Sequence, residues 1–172
     1  IVVPEAESAI QTETEHYMHD MVTANGISLD QFIAAGNLNN KISMKNTFGN
    51  VALQGVDSSY AYIVSGSDGM MLCHPEGEKV GQPVENARIK KVVEDIQMGS
   101  RPETSVVEYK YKGTAKMAAY YVTKKEPTVL VITADKDDIL APINNMIKTG
   151  VVAFAIVVVI FAFLAAFITG RM

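Results

Sequence analysis

An uncharged apolar run near the C-terminus places the strongest limit on what this chain can fold into. The residues from Val151 to Ile168 carry no charged or polar side chain. With its flanks the run covers residues 149–170, and a helix of about 22 residues, rising about 1.5 Å per residue, crosses a hydrocarbon core of about 30 Å. A helix buried in a protein core normally keeps a polar stripe, which this run lacks. The sequence therefore predicts a C-terminal transmembrane helix at residues 151–170.

The residues before this run have the composition of an ordinary folded domain. The chain has a net charge of -4, which argues against a nucleic-acid partner, because phosphate neutralisation needs a basic face. It holds one cysteine, Cys73, so no disulfide can form within the chain. Neither observation indicates a cofactor, and no set of nucleophile, base and acid indicates an enzyme.

Helix signals dominate residues 1–40, which we interpret as an N-terminal helical region. Proline is tolerated in a first turn, so a helix is predicted over Pro4–Ala24, with Asn25-Gly26 as its C-cap. A second helical piece is predicted over Leu29–Ala35. His16 and His19 have a spacing that can bind metal, but no third ligand lies nearby, so we expect no metal site.

A β-hairpin is predicted where two apolar runs flank an Asp-Gly turn. The runs are Tyr60–Val64 and Met70–Leu72, with Gly66-Ser67-Asp68-Gly69 between them. His74-Pro75 follows, and proline ends sheet pairing because it lacks a donor. The segment before the hairpin, Ile42–Val56, is ambiguous and could hold a short helix.

An amphipathic helix and three strands follow the hairpin. The helix is predicted at Val84–Met98, and it ends at Gly99. The strands are predicted at Ser105–Tyr111, Thr114–Thr123 and Thr128–Ala134, and the last is nearly all apolar, as a central strand would be. Together these elements predict an α+β domain at 41–140, with a five-stranded antiparallel, PAS-like sheet and a crossover helix. A helix beginning near Ile139 would lead through a juxtamembrane segment at 141–150, and a ligand would bind between the sheet face and the crossover loops.

At four places the chain resembles the extracytoplasmic Cache sensor domain of bacterial methyl-accepting chemotaxis proteins. The matching segments are SSYAYIVSGSDGMMLCHP, EKVGQPVENARIKKVVEDI, VEYKYKGTAKMAAY and VLVITADKDDILAPI. They occur in the family's order and end in a membrane span. The resemblance covers residues 17–168 and is to the single-Cache type.

The resemblance implies an architecture and a function. In the family, an outer sensor lies between two transmembrane helices, followed by a HAMP linker and a cytoplasmic signalling coiled coil. It implies a small-molecule receptor in the cell membrane, in contact with lipid, with the sensor extracytoplasmic and with a homodimer formed through the N-terminal and transmembrane helices. Two alternatives remain open: the sensor region of a histidine kinase or a cyclic-dinucleotide enzyme, and a tail-anchored cytosolic PAS-like interaction domain.

Lys116 is the first candidate for ligand contact. It lies in the middle of a strand, where its ammonium would either face the pocket and pair with a ligand carboxylate or pair with an acid such as Glu108. Tyr120 shares its face on a period of two and is the preferred tyrosine. Tyr62 and Tyr109 are the other tyrosine candidates, since buried tyrosine hydroxyls need partners.

Two charged residues complete the candidate set. Asp135 follows the last strand and would accept from a ligand amine or cap the next helix. Arg88 lies at the edge of the crossover helix, where it could reach an anionic ligand. Cys73 and His74 are adjacent in a strand and point to opposite faces, so they do not form a catalytic dyad. The Arg-x-Trp-Tyr core of amino-acid-sensing relatives is missing, and Lys116 favours a small carboxylate as the ligand.

Overall fold

A computed structural model describes the backbone of residues 2–169 and the side chains of residues 8, 9, 11–141 and 149–161. The chain divides into two compact units, Ile1–Ile139 and Leu140–Met172. The helices are α1 (Val2–Ala34), α2 (Lys41–Phe48), α3 (Ala87–Gln97) and α4 (Lys136–Thr169). The strands are β1 (Tyr60–Ser65), β2 (Met71–Cys73), β3 (Ser105–Tyr111), β4 (Thr114–Val122) and β5 (Thr128–Asp135). A short 3₁₀ turn lies at Gly77–Lys79.

The five strands form one antiparallel sheet in the order β2-β1-β5-β4-β3. The predicted α+β fold, with a long N-terminal helix, a five-stranded antiparallel sheet and a crossover helix, is confirmed. The apolar strand Thr128–Asp135 occupies the centre, where both of its faces are covered and nearly all of its residues are buried. This is the environment that a continuous apolar strand needs.

Each face of the sheet has its own apolar core. On one face α1 and α2 pack against alternate strand residues, with contributions from Met18, Val22, Leu29, Met44, Phe48, Ile63, Met117, Tyr121, Leu130 and Ile132. On the other face α3 covers a second set, which includes Val64, Ile89, Val92, Val93, Ala118, Tyr120, Val122, Val129 and Val131. Strand β4 divides between the two sets with a period of two, as its sequence predicts.

The prediction that the N-terminal helix ends at Asn25-Gly26 is wrong, because α1 continues to Ala34. Asn25 Nδ2 donates to the Met21 carbonyl at 2.9 Å, so the side chain bonds within the helix instead of ending it. Gly26 is buried, and a Cβ built on it would lie 2.3 Å from the ring of Tyr121. Glycine is therefore needed here for close approach of the helix to β4, and not for a turn.

The crossover helix begins at Ala87, three residues later than predicted. Val84 belongs instead to the segment that bonds to the hairpin, where its N–H donates to the Gly69 carbonyl at 2.9 Å. Asn86 is the N-cap: its Oδ1 accepts from the backbone N–H groups of Arg88 and Ile89. The ambiguous segment 42–56 contains α2 followed by irregular chain.

The turns of the two hairpins follow the predicted chemistry. Gly69 has a φ of +73°, and Asp68 Oδ1 accepts from the Met70 N–H at 3.0 Å. At the β3–β4 turn both Lys112 and Gly113 have positive φ, which suits a two-residue hairpin connection.

The span predicted at 151–170 is helical as far as Thr169, within α4. Among the residues that the structure describes, no helix is long and apolar enough to cross a membrane. The side chains of 162–169 and all of residues 170–172 lie outside that description.

Candidate ligand-binding site

A small polar cavity lies on the α3 side of the sheet, between β1, β3 and the segment 75–86. Its wall consists mainly of aromatic and charged side chains, from Tyr60, Tyr62, Met71, His74, Lys79, Glu85, Asn86, Tyr109 and Tyr111. The open volume is about 20 Å³. That is enough for about one water molecule. A ligand with several heavy atoms therefore requires part of the wall to move.

The inner wall is built by β1 and the residue that follows β2. Tyr60 and Tyr62 alternate with core residues on β1 and place their rings side by side, with centroids 6.2 Å apart. The His74 ring contacts both, at 5.3 Å from Tyr60 and 5.9 Å from Tyr62. Asn86 Nδ2 donates to the Tyr62 hydroxyl at 3.4 Å. The N-cap of α3 thus fixes one phenol of the cavity.

A hydrogen-bond chain orients Tyr109 on β3. The Tyr109 hydroxyl lies 2.9 Å from Thr133 Oγ1, and Thr133 donates its single hydroxyl proton to the Met117 carbonyl at 2.8 Å. Tyr109 must therefore be the donor to Thr133. This bond directs the phenol proton of Tyr109 into the sheet.

The outer wall is the segment 75–86, which is held by side chains. The Glu76 N–H donates to His74 Nδ1 at 3.0 Å. Tyr111 donates to Glu85 Oε2 at 2.5 Å. Lys79 Nζ lies 3.3 Å from Glu76 Oε2 and 3.5 Å from the Tyr111 hydroxyl. These contacts connect the loop to both β2 and β3.

Lys116 and Asp135 form an ion pair beside the cavity. They are register partners on β4 and β5, and the ammonium lies 5.6 Å from the Tyr60 ring centroid. The side chain of Lys116 is 11 % exposed and that of Asp135 is 30 % exposed. Glu108, the acid considered as the partner of Lys116, pairs instead with Lys136 at 2.6 Å. Lys116 and Asp135 thus compensate each other's charge.

The other two candidates lie elsewhere. Tyr120 is on the same face as Lys116, as predicted, but belongs to the apolar cluster beneath α3 and does not line the cavity. Arg88 is exposed at the start of α3 and is also absent from the cavity wall. The structure thus brings Tyr62 and Tyr109 into the wall and the Lys116–Asp135 pair beside it.

Burial determines the protonation of the cavity groups. It raises the pKa of Tyr60 to about 12 and raises the pKa of Tyr62 well above its usual value, so both phenols keep their protons. Burial, followed by the nearby Lys79 charge, lowers the pKa of His74. The Cys73 side chain lies in the opposite core, where burial raises its pKa, in agreement with the prediction that Cys73 and His74 point apart.

Sequence reasoning selected two of the nine wall residues, Tyr62 and Tyr109, and did not select the other seven: Tyr60, Met71, His74, Lys79, Glu85, Asn86 and Tyr111. Asn86 carries a usable signal, because an asparagine before an amphipathic run is a strong N-cap candidate and so marks the start of the helix. Lys79 and Glu85 lie in a loop, where no periodicity assigns a side chain to a face.

A five-stranded antiparallel sheet in this order, with a helical crossover on one face, is a PAS-like fold. No protein-family model matches the chain, and no curated protein matches it. Solved structures of similar fold include sensor and ligand-binding domains. The extracellular domain of a chain assigned as a histidine kinase, mmHK1S-Z3, is 20% identical over 61% of this chain and 39% of its own, with a TM-score of 0.49.

The ligand-binding domain of Mlp24, solved with asparagine, is 16% identical over 60% of this chain and 38% of its own, with a TM-score of 0.43. The periplasmic sensory domain of the Campylobacter jejuni chemoreceptor Tlp1 is 20% identical over 50% of this chain and 31% of its own, with a TM-score of 0.38. The chain therefore spans two fifths or less of the length of these domains. The similarity is one of fold.

Proposed function

We propose that this chain is the sensor region of a transmembrane receptor that binds a small molecule in the cavity between the sheet and the segment 75–86. The proposal depends on one observation: hydrogen-bonding side chains of β1 and β3 line the same cavity, and the segment 75–86 covers it and is held in place by side-chain hydrogen bonds. A structural core would place apolar residues here, as the neighbouring end of the same face does beneath α3. Polar groups gathered in a concave site are typical of ligand recognition.

The proposed signal leaves the site through β5. Asp135 is the last residue of β5, it pairs with Lys116 beside the cavity, and α4 begins at the next residue. A ligand that binds one arrangement of this junction better than another shifts the population towards it. In this proposal α4 passes the change across the membrane through the apolar segment 151–170, and the sensor lies on the extracytoplasmic side.

The receptor is further proposed to act as a homodimer, through α1 and the apolar part of α4, and to pass its signal to a cytoplasmic module. The ligand contacts proposed are Tyr62 and Tyr109 in the wall, with Lys116 and Asp135 beside it. Tyr120 and Arg88 would take part only if binding rearranged the start of α3. No catalytic role is proposed for any of them.

The proposal is tested by a thermal-shift screen of the full chain in detergent micelles against small carboxylates, amines and amides. Compounds that raise the melting temperature are then measured by calorimetry on the wild type and on Tyr62→Phe. Loss of this hydroxyl removes one hydrogen bond of about 0.5–1.5 kcal/mol, so affinity should fall by about twofold to tenfold.

Tyr121→Phe is the matched control, because it removes the same atom from the opposite face of the sheet. The Tyr121 hydroxyl donates to Asp30 Oδ2 at 2.7 Å, away from the cavity. This variant should lose stability and keep its affinity. Equal affinity loss in both variants, or none in Tyr62→Phe, would place the ligand elsewhere and contradict the proposal.

A further inference from the structure

We propose that the open edge of the sheet, strand β3, pairs with β3 of a second copy of this chain in an antiparallel contact with twofold symmetry. This contact does not depend on a ligand, and it is separate from the helical dimer contacts of the proposed receptor. Its basis is the difference between the two edges of the sheet.

One edge of the sheet is closed by the chain itself. Strand β2 has only three residues, and the loop that follows it bonds to its outer side. The Met71 N–H donates to the Gln82 carbonyl at 2.9 Å, and the Gly81 N–H donates to the Met71 carbonyl at 2.8 Å. Met70 and Pro83 form an antiparallel bridge, and a proline has no N–H to offer to a further strand. The β2 edge is therefore protected against pairing with another chain.

The β3 edge has no such cover. The strand is seven residues long, pairs with β4 through all of them without a bulge, and contains no proline or glycine. Apart from a 3.5 Å contact between Ser105 Oγ and the Val106 carbonyl, the backbone groups of β3 that do not bond to β4 have no partner among the residues that the structure describes. An open cleft of about 400 Å³ lies between α1 and the start of β3, so the helix leaves this edge accessible. A long, regular and unpaired edge is a template for another strand.

The two charges of β3 select one register for the second copy. In a twofold antiparallel pair, the residue at the axis lies opposite its own copy. An axis at Glu108 or at Lys110 would place two like charges directly opposite each other, which is unfavourable. An axis at Val107 would leave both charges opposite uncharged residues, and axes nearer the strand ends would pair fewer residues. An axis at Tyr109 places Glu108 opposite Lys110 of the second copy on both sides of the axis, which is favourable.

The uncharged side chains of β3 fit the same register. Val107 lies opposite Tyr111 of the second copy, and the two copies of Tyr109 meet at the axis. Cross-strand pairs of aromatic and β-branched side chains are favourable. All three side chains are half-buried in the single chain, so the contact removes further apolar surface from water.

Opposite charges also meet at the ends of the paired strands. Lys112, in the turn after β3, lies opposite Val106 of the second copy. Val106 borders the cleft beside α1, whose walls include Glu15 and Asp20. The basic end of one strand therefore lies beside an acidic cleft of the other copy, and the twofold axis repeats this arrangement at the far end.

Disulfide trapping tests this register. Directly opposite residues have Cα atoms about 4.5–5.5 Å apart, within the reach of a disulfide, whereas diagonal neighbours at about 7–8 Å are beyond its usual range. The full chain in detergent micelles is prepared as Glu108→Cys and as Lys110→Cys, with tags of different length, and the two are oxidised separately and as a mixture. We expect a crosslinked dimer in the mixture and little in either variant alone. The native Cys73 is buried, and Lys125→Cys, at an exposed turn, measures the background from random collisions.

A second pair of cysteines makes the test independent of Glu108, which also accepts from Gln11 and Lys136 within the chain. Val107→Cys mixed with Tyr111→Cys should crosslink in the same register. Lys110→Glu, added to both of these chains, places like charges opposite each other and should lower the crosslinked yield about twofold or more. Lys125→Glu is the matched control, because it makes the same charge change at the exposed turn and should leave the yield unchanged.

Three results overturn the inference. The first is no crosslinking above the Lys125→Cys background in either mixture. The second is crosslinking of Glu108→Cys or Lys110→Cys alone as efficiently as in their mixture, and the third is an unchanged yield with Lys110→Glu. None of these results bears on the ligand screen, so the proposed function stands or fails separately.

Discussion

The contact of Gly26 with Tyr121 gives a prediction whose sign depends on a single neighbour. Gly26 lies in the interior of α1, where alanine would be favoured over glycine by about 1 kcal/mol on helix propensity alone. The added Cβ, however, would lie 2.3 Å from Cγ and Cδ1 of Tyr121 and 2.8 Å from Cδ2. Normal carbon contacts are about 3.5–4.0 Å, so either the ring or the helix must move by more than about 1 Å.

Movement of the ring also strains the hydrogen bonds that hold α1 on β4. The Tyr121 hydroxyl donates to Asp30 Oδ2 at 2.7 Å, and Asp30 Oδ1 accepts from the Lys124 N–H at 2.5 Å. Overpacking costs about 1–3 kcal/mol, and a hydrogen bond to a charged group contributes about 1.5–3 kcal/mol. After subtraction of the propensity gain, and with the hydrogen bond to Asp30 lost, Gly26→Ala should destabilise the chain by about 1.5–5 kcal/mol.

The assay is urea denaturation of the full chain in detergent, followed by circular dichroism because the chain has no tryptophan. In a Tyr121→Ala background the ring is gone, so Gly26→Ala should become neutral or stabilising by up to about 1 kcal/mol. Ser28→Ala, at an exposed position of the same helix, should change stability by less than about 0.5 kcal/mol. The same destabilisation by Gly26→Ala in both backgrounds would refute the contact as its cause.

Two further predictions concern the polar side of the sheet. Lys116→Met should destabilise the chain by about 1–2 kcal/mol in the same denaturation assay. This is less than the loss of a fully buried ion pair would cost, because the Asp135 side chain is 30 % exposed. Lys110→Met, at an exposed position, should have little effect. Burial lowers the pKa of His74, so the unfolded chain protonates this imidazole at a higher pH than the folded chain does. The contribution of neutral His74 to the free energy of unfolding is therefore complete above about pH 6.5 and is lost as the pH falls below that value. Stability measured between about pH 5.5 and 7.5 should therefore rise less steeply in His74→Gln than in the wild type, and an unchanged slope would contradict this.

The sheet could be predicted from the sequence because its strands depend on local, periodic signals. Strand β3 matches its predicted bounds, and Asp68-Gly69 and Lys112-Gly113 form the expected turns. The failure at Asn25-Gly26 has a different origin. The local sequence is the same whether a glycine ends a helix or makes room for an aromatic ring from a distant strand. Only the folded structure brings Tyr121 next to Gly26.

One part of the candidate site follows from strand alternation, and another part does not. Tyr62 and Tyr109 could be assigned to the cavity face because a strand fixes which side each residue takes. Lys79 and Glu85 lie in a loop whose path is determined by hydrogen bonds to β2. These bonds join backbone groups, so they do not depend on residue type and cannot be predicted from the sequence pattern. Loop residues of a binding site are therefore invisible to arguments from periodicity.

The comparison of Lys116 with Lys79 indicates how such sites should be sought. Lys116 attracts attention because a lysine within a buried strand is costly, but a charge that stays buried needs a partner, and here it is Asp135. The feature that selects Lys116 from sequence thus also predicts that its charge is already neutralised. A cation whose own partner is exposed can change partners at lower cost, and Lys79 in the cavity wall, 3.3 Å from the 55 % exposed Glu76, is of this kind. A charge that can be exchanged at low cost is what reversible recognition of an anion requires.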